Sequence, residues 1–189
     1  MLLISMASNG QEIHLSGGYN GSNVQEAGDE QWSGLAGYQF GADVLLGDRW
    51  FVKPGIHFLV RNLNYSYADA VGATQQEYEY TSRSLAIPLM LGRNLLDPSS
   101  DPSINLYVMG GPTALFGLNT DLDNNALTVE TNSTQWYLGF GAGLHLGIFF
   151  VEGGYDVAMT NVFNGDEFET NPKVNYLHAI AGVRLQLAR

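Results

Sequence analysis

Trp50-Phe51-Val52-Lys53-Pro54-Gly55-Ile56-His57-Phe58-Leu59-Val60-Arg61 sorts its residues with a period of two. Trp50, Val52, Pro54, Ile56, Phe58 and Val60 fall on one face; Phe51, Lys53, Gly55, His57, Leu59 and Arg61 fall on the other. Side chains alternate across an extended strand, whereas a helix brings together residues three and four apart. The stretch therefore reads as a strand with one greasy face and one polar or small face. The alternation recurs in Trp136, Leu138, Phe140, Ala142, Leu144 and Leu146 against Gln135, Tyr137, Gly139, Gly141, Gly143 and His145. It returns in Phe149, Val151, Gly153, Tyr155, Val157 and Met159 against Phe150, Glu152, Gly154, Asp156 and Ala158.

Extending this reading along the chain predicts eight strands, at 11–21, 33–46, 50–64, 78–93, 104–118, 133–147, 149–160 and 174–187. Each is long enough for a tilted bilayer crossing, which takes about 9 to 11 residues. No run reaches the roughly 18 to 20 apolar residues of a membrane-spanning helix. Segments 22–32, 65–77, 119–132 and 161–173 are long and polar, while Gly47-Asp48-Arg49 and Gly147-Ile148 are tight turns and 94–103 is a modest Pro/Ser turn. Alternating long and short connections mark an outer-membrane barrel, with long loops outside and short turns in the periplasm. Hydrocarbon leaves no water for unpaired backbone groups, so strands can span it only as a closed sheet. The expected fold is all-β: one eight-stranded antiparallel up-and-down transmembrane β-barrel over residues 11–189, with both termini periplasmic. Residues 1–10 are expected to be a signal-peptide remnant or a disordered arm.

An eight-stranded barrel has an interior that side chains just fill. Gly37, Gly41, Gly55, Gly139, Gly141, Gly143, Gly154 and Gly182 all fall on the expected inner face, where small residues leave room for larger ones. The same face carries Asp43, Lys53, Arg61, Glu152, Asp156 and Arg184, a charge network expected to pair because an isolated ion in a narrow lumen is costly to desolvate. It also carries all four histidines, His14, His57, His145 and His178. Imidazole is a common metal ligand, but in a polar lumen it serves more often as a hydrogen-bonding filler, so no metal and no other cofactor is expected. Trp32, Trp50, Trp136 and Tyr176, with Tyr19, Tyr38, Tyr65, Tyr107 and Tyr137, are expected to form aromatic girdles at the two interfaces.

Five segments in order, Trp50-Phe51-Val52-Lys53-Pro54-Gly55-Ile56, Ser84-Leu85-Ala86-Ile87-Pro88-Leu89-Met90-Leu91, Leu106-Tyr107-Val108-Met109-Gly110-Gly111-Pro112, Leu138-Gly139-Phe140-Gly141-Ala142-Gly143-Leu144 and Ala181-Gly182-Val183-Arg184-Leu185, carry a family resemblance. Together they resemble the PorT-like outer-membrane β-barrel domain of Gram-negative bacteria, over nearly the whole chain beyond residue 10. The resemblance implies an eight-stranded barrel, exported and inserted in the outer membrane; the family takes its name from a protein-secretion system, and most of its members have no assigned activity. Ala86 stands where relatives often carry an acidic residue.

The chain of 189 residues has 8 Lys+Arg against 19 Asp+Glu, a formal charge of -11, and no Cys. A nucleic-acid partner needs a basic footprint and is excluded; cysteine chemistry is excluded outright. Of the acids, 12 lie in or beside the long segments, among them Glu26, Asp29, Glu30, Asp121, Asp123, Asp166, Glu167 and Glu169. They read as a solvated acidic loop surface, with divalent-cation bridging to lipopolysaccharide as the functional alternative. His14-Leu15-Ser16 puts an imidazole and a hydroxyl on one strand face, the pairing that acyl transfer uses. Both residues point inward on this reading, away from lipid. Catalysis is therefore not expected. The leading expectation is a structural or accessory barrel whose lipid face, with the small residues Gly110, Ala114, Ala179 and Ala181, offers docking to a larger secretion or uptake complex. A narrow channel or small-ligand carrier is the second reading, and a lipid A-modifying hydrolase the third.

Overall fold

A computed structural model describes residues 11–24, 31–67, 76–96, 103–122, 134–160 and 174–187. Among them no helix is long and apolar enough to cross a membrane; crossing falls to strands. These are β1 (Gln11–Val24), β2 (Gln31–Gly47), β3 (Trp50–Tyr67), β4 (Gln76–Asn94), β5 (Ile104–Leu122), β6 (Thr134–Leu146), β7 (Phe149–Ala158) and β8 (Val174–Gln186). Each pairs antiparallel with its neighbours in sequence, and β1 pairs with β8 to close the barrel. The expected eight-stranded antiparallel β-barrel is the observed fold. The expected division at residue 10 falls outside the described residues.

Both termini and the three short connections share one end, here the turn end. Leu187 N donates to Gln11 O at 2.9 Å there. The two-residue connections after Gly47 and after Leu146 close hairpins, a turn class that calls for positive φ. Gly147, the first residue of its connection, supplies it at 61°, and Gly47, which ends β2 just before the other connection, also has a positive φ of 121°. At the opposite, loop end the strands outrun the expected limits: β3 continues to Tyr67, β4 starts at Gln76 and β5 continues to Leu122. Glu77, Glu79 and Asp121 therefore lie in strands, with Glu79 paired to Asn64 and Asp121 to Thr81. Glu77 and Asp121 fall in expected loop segments and Glu79 at the margin of one, but a ladder extending beyond the hydrocarbon needs only backbone partners and tolerates polar side chains on both faces.

Parity decides which side chains face the lumen. Phe51, Lys53, His57, Leu59 and Arg61 of β3 are buried, while Trp50 and Ile56 are exposed. The outward rows of the other strands are likewise apolar, with Leu15, Phe40, Leu89, Leu91, Val108, Phe140, Val151 and Leu177 all exposed. A water-soluble barrel would bury such rows; a bilayer-facing one displays them. Among the apolar outward positions, two are nonetheless covered. Val60 sits in register between Tyr38 and Arg83, and Ala114 between Ile87 and Trp136, so larger neighbours on both sides shade each of them. Ala114 is thus not part of an exposed small surface. Gly110 is half-buried, and Ala179 and Ala181 remain exposed.

Candidate functional site

The lumen is filled in layers. Nearest the turn end, Phe51, Leu45 and Tyr107 form a small apolar cluster with Met109 packed against it. Further toward the loop end, Leu59, Ala86, Leu115, Tyr137, Ala158 and Tyr176 form a second. Gly143 shows why the inner face needs glycine: an added Cβ there would overlap the Tyr107 ring. A missing side chain on β6 makes room for the large residue on β5.

Polar groups thread between these layers in three sets. In the first, Lys53 of β3 forms an ion pair with Glu152 of β7 and lies 3.5 Å from Asp43 of β2. Tyr107 donates its hydroxyl to Glu152 at 2.6 Å, and His57 Nε2 lies 2.8 Å from Asp43 Oδ1. One ammonium thus serves two buried carboxylates, each of which has a further hydrogen-bonding partner. Removing a charge from water is tolerable only with such pairing.

The second set lies at the turn end. Arg184 donates from Nε to Gly147 O at 2.6 Å and from Nη1 to Glu12 at 3.1 Å, with His145 Nδ1 at 3.3 Å from the same nitrogen. His14 Nε2 lies 3.2 Å from Glu12, and Gln186 donates to Glu12 at 3.3 Å. Glu12, His14 and His145 bring one ligand atom each within 4.8 Å of one another, a spacing a metal ion could use. Arg184 Nη1 contacts two of those three residues, so a cation already stands at the cluster. No metal is needed to neutralise Glu12.

The third set adjoins the loop-end cluster. Arg61 donates to the Tyr137 hydroxyl at 3.0 Å and to Gln135 Oε1 at 3.5 Å, and Tyr137 donates to Gln135 at 2.8 Å. Asp156 faces His178 Nδ1 at 3.0 Å. Between the first and third sets remains a cavity of about 50 Å³, lined in part by Asp43, Lys53, His57, Thr113, Glu152, Asp156 and His178. Among the described residues Thr113 Oγ1 and Asp156 Oδ1 are buried there without a hydrogen-bond partner, and Asp43 Oδ2 and Asp156 Oδ2 have only the ion-pair contacts to Lys53 and His178. Such a chamber has room for a few waters, each needing about 10–15 Å³, and those waters would satisfy these atoms.

All six charged residues expected inside, Asp43, Lys53, Arg61, Glu152, Asp156 and Arg184, are buried in the lumen. His14, His57 and His145 are buried beside them, and His178 is nearly so. Glu12, Tyr107, Gln135 and Tyr137 belong to the same network and were missed, although parity alone puts Glu12 on the His14 face. Tyr176 is misassigned as a girdle residue: it is 4% exposed and meets Tyr137 edge to face at 5.2 Å. Tyr107 and Tyr137 are inward too. Parity overrides residue type at all three. Trp50 is exposed at the turn end and Trp136 at the loop end. Tyr19 and Tyr38, a registered pair, are also exposed. The side chains of Trp32 and Tyr65 lie outside the described residues, as do those of Glu26, Asp29, Glu30, Asp121, Asp123, Asp166, Glu167 and Glu169. Among the described residues Ser16 Oγ has no hydrogen-bond partner, and none couples it to His14.

The sequence profile described as "Outer membrane protein beta-barrel domain" matches residues 6–164. The chain belongs to this family. The outer-membrane β-barrel placement, in Gram-negative bacteria, follows from that membership and from the apolar exterior. The crystal structure of the outer membrane protein OprG from Pseudomonas aeruginosa is similar, with a TM-score of 0.59, 13% identity, and 93% of this chain and 96% of that one covered. So is Ail, the attachment invasion locus protein of Yersinia pestis, solved with the heparin analogue sucrose octasulfate: TM-score 0.53, 16% identity, and 93% and 99% covered. At these identities the likeness is one of fold. No curated protein is significantly similar in sequence.

Proposed function

We propose that this outer-membrane barrel is a plugged, non-enzymatic structural or accessory component, with loops outward and termini in the periplasm. The observation that supports the reading is the lumen: among the described residues, three polar sets and two apolar clusters fill it around a chamber of about 50 Å³. A general porin needs more strands to leave a water channel. Recording in planar bilayers tests this. The expected result is no discrete unitary conductance; steps of a defined size would favour the narrow-channel reading instead. A chamber of this size suits water better than an organic ligand, which counts against a carrier.

Within the family, the five segments that resemble PorT-like barrels support a role beside a larger secretion or uptake complex. Exposed Ala179 and Ala181 on β8 let another surface approach closely. Pull-down from native membranes in mild detergent should recover a partner, and a barrel that always purifies alone would overturn the docking claim. The acidic loop segments support divalent-cation bridging to lipopolysaccharide. Ail was solved with a polysulfated ligand; an excess of 19 acids over 8 bases does not suit a polyanion here. An epitope placed between β7 and β8 should be labelled on intact cells, and labelling only after lysis would reverse the orientation.

A further inference from the structure

Two arginines stand together at one corner of the turn end. Arg49 lies in the turn between β2 and β3 and Arg93 near the end of β4, and both are exposed. Register pairs Arg93 with Trp50, and the guanidinium carbon lies 5.3 Å from the centroid of the indole. Asn94 N donates to Arg49 O at 2.9 Å, which ties the turn to β4 and brings the two cations to the same corner. Their setting differs from that of Lys53, Arg61 and Arg184, which are buried inside. Among the described residues neither Arg49 nor Arg93 has an ion-pair partner, and exposed Asp48 in the same turn pairs with neither.

Below the two cations the surface turns apolar along the same pair of strands. Trp50 is 60% exposed, and Leu91, Leu89 and Ile56 continue the outward row toward the membrane centre, each more than half exposed. The corner therefore has the polarity of an amphiphile: two guanidinium forks at the rim and an indole with aliphatic side chains beneath. Guanidinium matches a phosphate diester through paired N–H donors. Stacking on Trp50 holds the Arg93 fork in place before any ligand arrives, which lowers the ordering cost of binding.

We propose that this corner binds one anionic phospholipid, its phosphate held by Arg49 and Arg93 and one acyl chain lying over Trp50, Leu91 and Leu89. The choice of phospholipid over lipid A rests on the orientation proposed above, which puts the turn end in the periplasmic leaflet; cell-surface labelling of the β7–β8 epitope tests that orientation, and the vesicle experiment tests the site, so the two failures are distinguishable.

The test uses a variant in which Trp32→Phe and Trp136→Phe leave Trp50 as the sole indole, reconstituted in phosphatidylcholine vesicles. Brominated phosphatidylglycerol, added as a minor component, should quench Trp50 as though enriched roughly tenfold over bulk, whereas brominated phosphatidylcholine quenches only in proportion to its amount. The excess should vanish in Arg49→Gln/Arg93→Gln and should survive millimolar inorganic phosphate, which separates a lipid site from a free-anion site. Equal quenching by the two lipids, an excess kept by the double variant, displacement by free phosphate, or stronger displacement by lipid A would each overturn the proposal. Should the double variant fail to fold, salt supplies the second measurement: the excess must fall as the Debye length shrinks to about 3 Å at 1 M, and a salt-independent excess overturns it too.

Discussion

Lys53 and Glu152, 99 residues apart in sequence, meet as an ion pair inside the barrel. The pair joins β3 to β7 across the lumen, and Asp43 draws β2 into the same contact. Closure of the sheet gives the first and last strands each other as backbone partners, but it leaves the interior to be filled. This pair and its neighbours fill it with charge that is matched in place, which is why a barrel with so polar an inside can still be dense.

Lys53→Met leaves Asp43 and Glu152 without their shared cation. We expect a loss of about 3–5 kcal/mol in urea unfolding from liposomes, the usual consequence of stranding a buried charge. Adding Glu152→Gln should recover part of it, with a coupling of about 1–3 kcal/mol in the double-mutant cycle. Strict additivity would mean that the two side chains do not act together.

Arg184→Ala removes the cation standing at Glu12, His14 and His145. The emptied cluster should then take zinc, which accepts two imidazoles and a carboxylate as ligands. Zinc should raise the unfolding midpoint of this variant and leave the parent unchanged. A parent that responds equally would show that Arg184 does not occupy the cluster.

Gly143→Ala should destabilise by about 1–3 kcal/mol, since its methyl would overlap the Tyr107 ring and force the β5 side to shift. Gly21→Ala is the control, with nothing within 4 Å of the added Cβ. Similar losses at both positions would argue against a tightly filled lumen.

Phe140→Lys places a charge midway along β6 on the outward row, where Phe140 is 55% exposed. At the bilayer midplane this should cost about 2–4 kcal/mol, whereas Leu46→Lys near the turn end should cost about 1 kcal/mol or less. Folding into liposomes measures both. Equal tolerance would place the apolar row in water and remove the membrane reading.

Periodicity of two made much of this legible in advance. Alternation at Trp50 to Arg61 separated the two faces, and the tight turns at Gly47 and Gly147 set the hairpins. It failed where residue type was given more weight than parity: Tyr107, Tyr137 and Tyr176 look like interface aromatics by composition, yet their positions turn them inward to the lumen. It also ended strands too early at the loop end, because the polarity of Glu77 and Asp121 says nothing about backbone pairing.

Taken alone, the amino-acid order determined the strand number, the connectivity and which face of each strand is polar, since all three depend on neighbours a few residues apart. Only the closed barrel decided which buried polar groups meet. Its stagger brings Lys53 to Glu152, Arg184 to Glu12 and Arg61 to Gln135. Those depths along the axis come from the register of eight paired strands acting together, a quantity that no single strand contains.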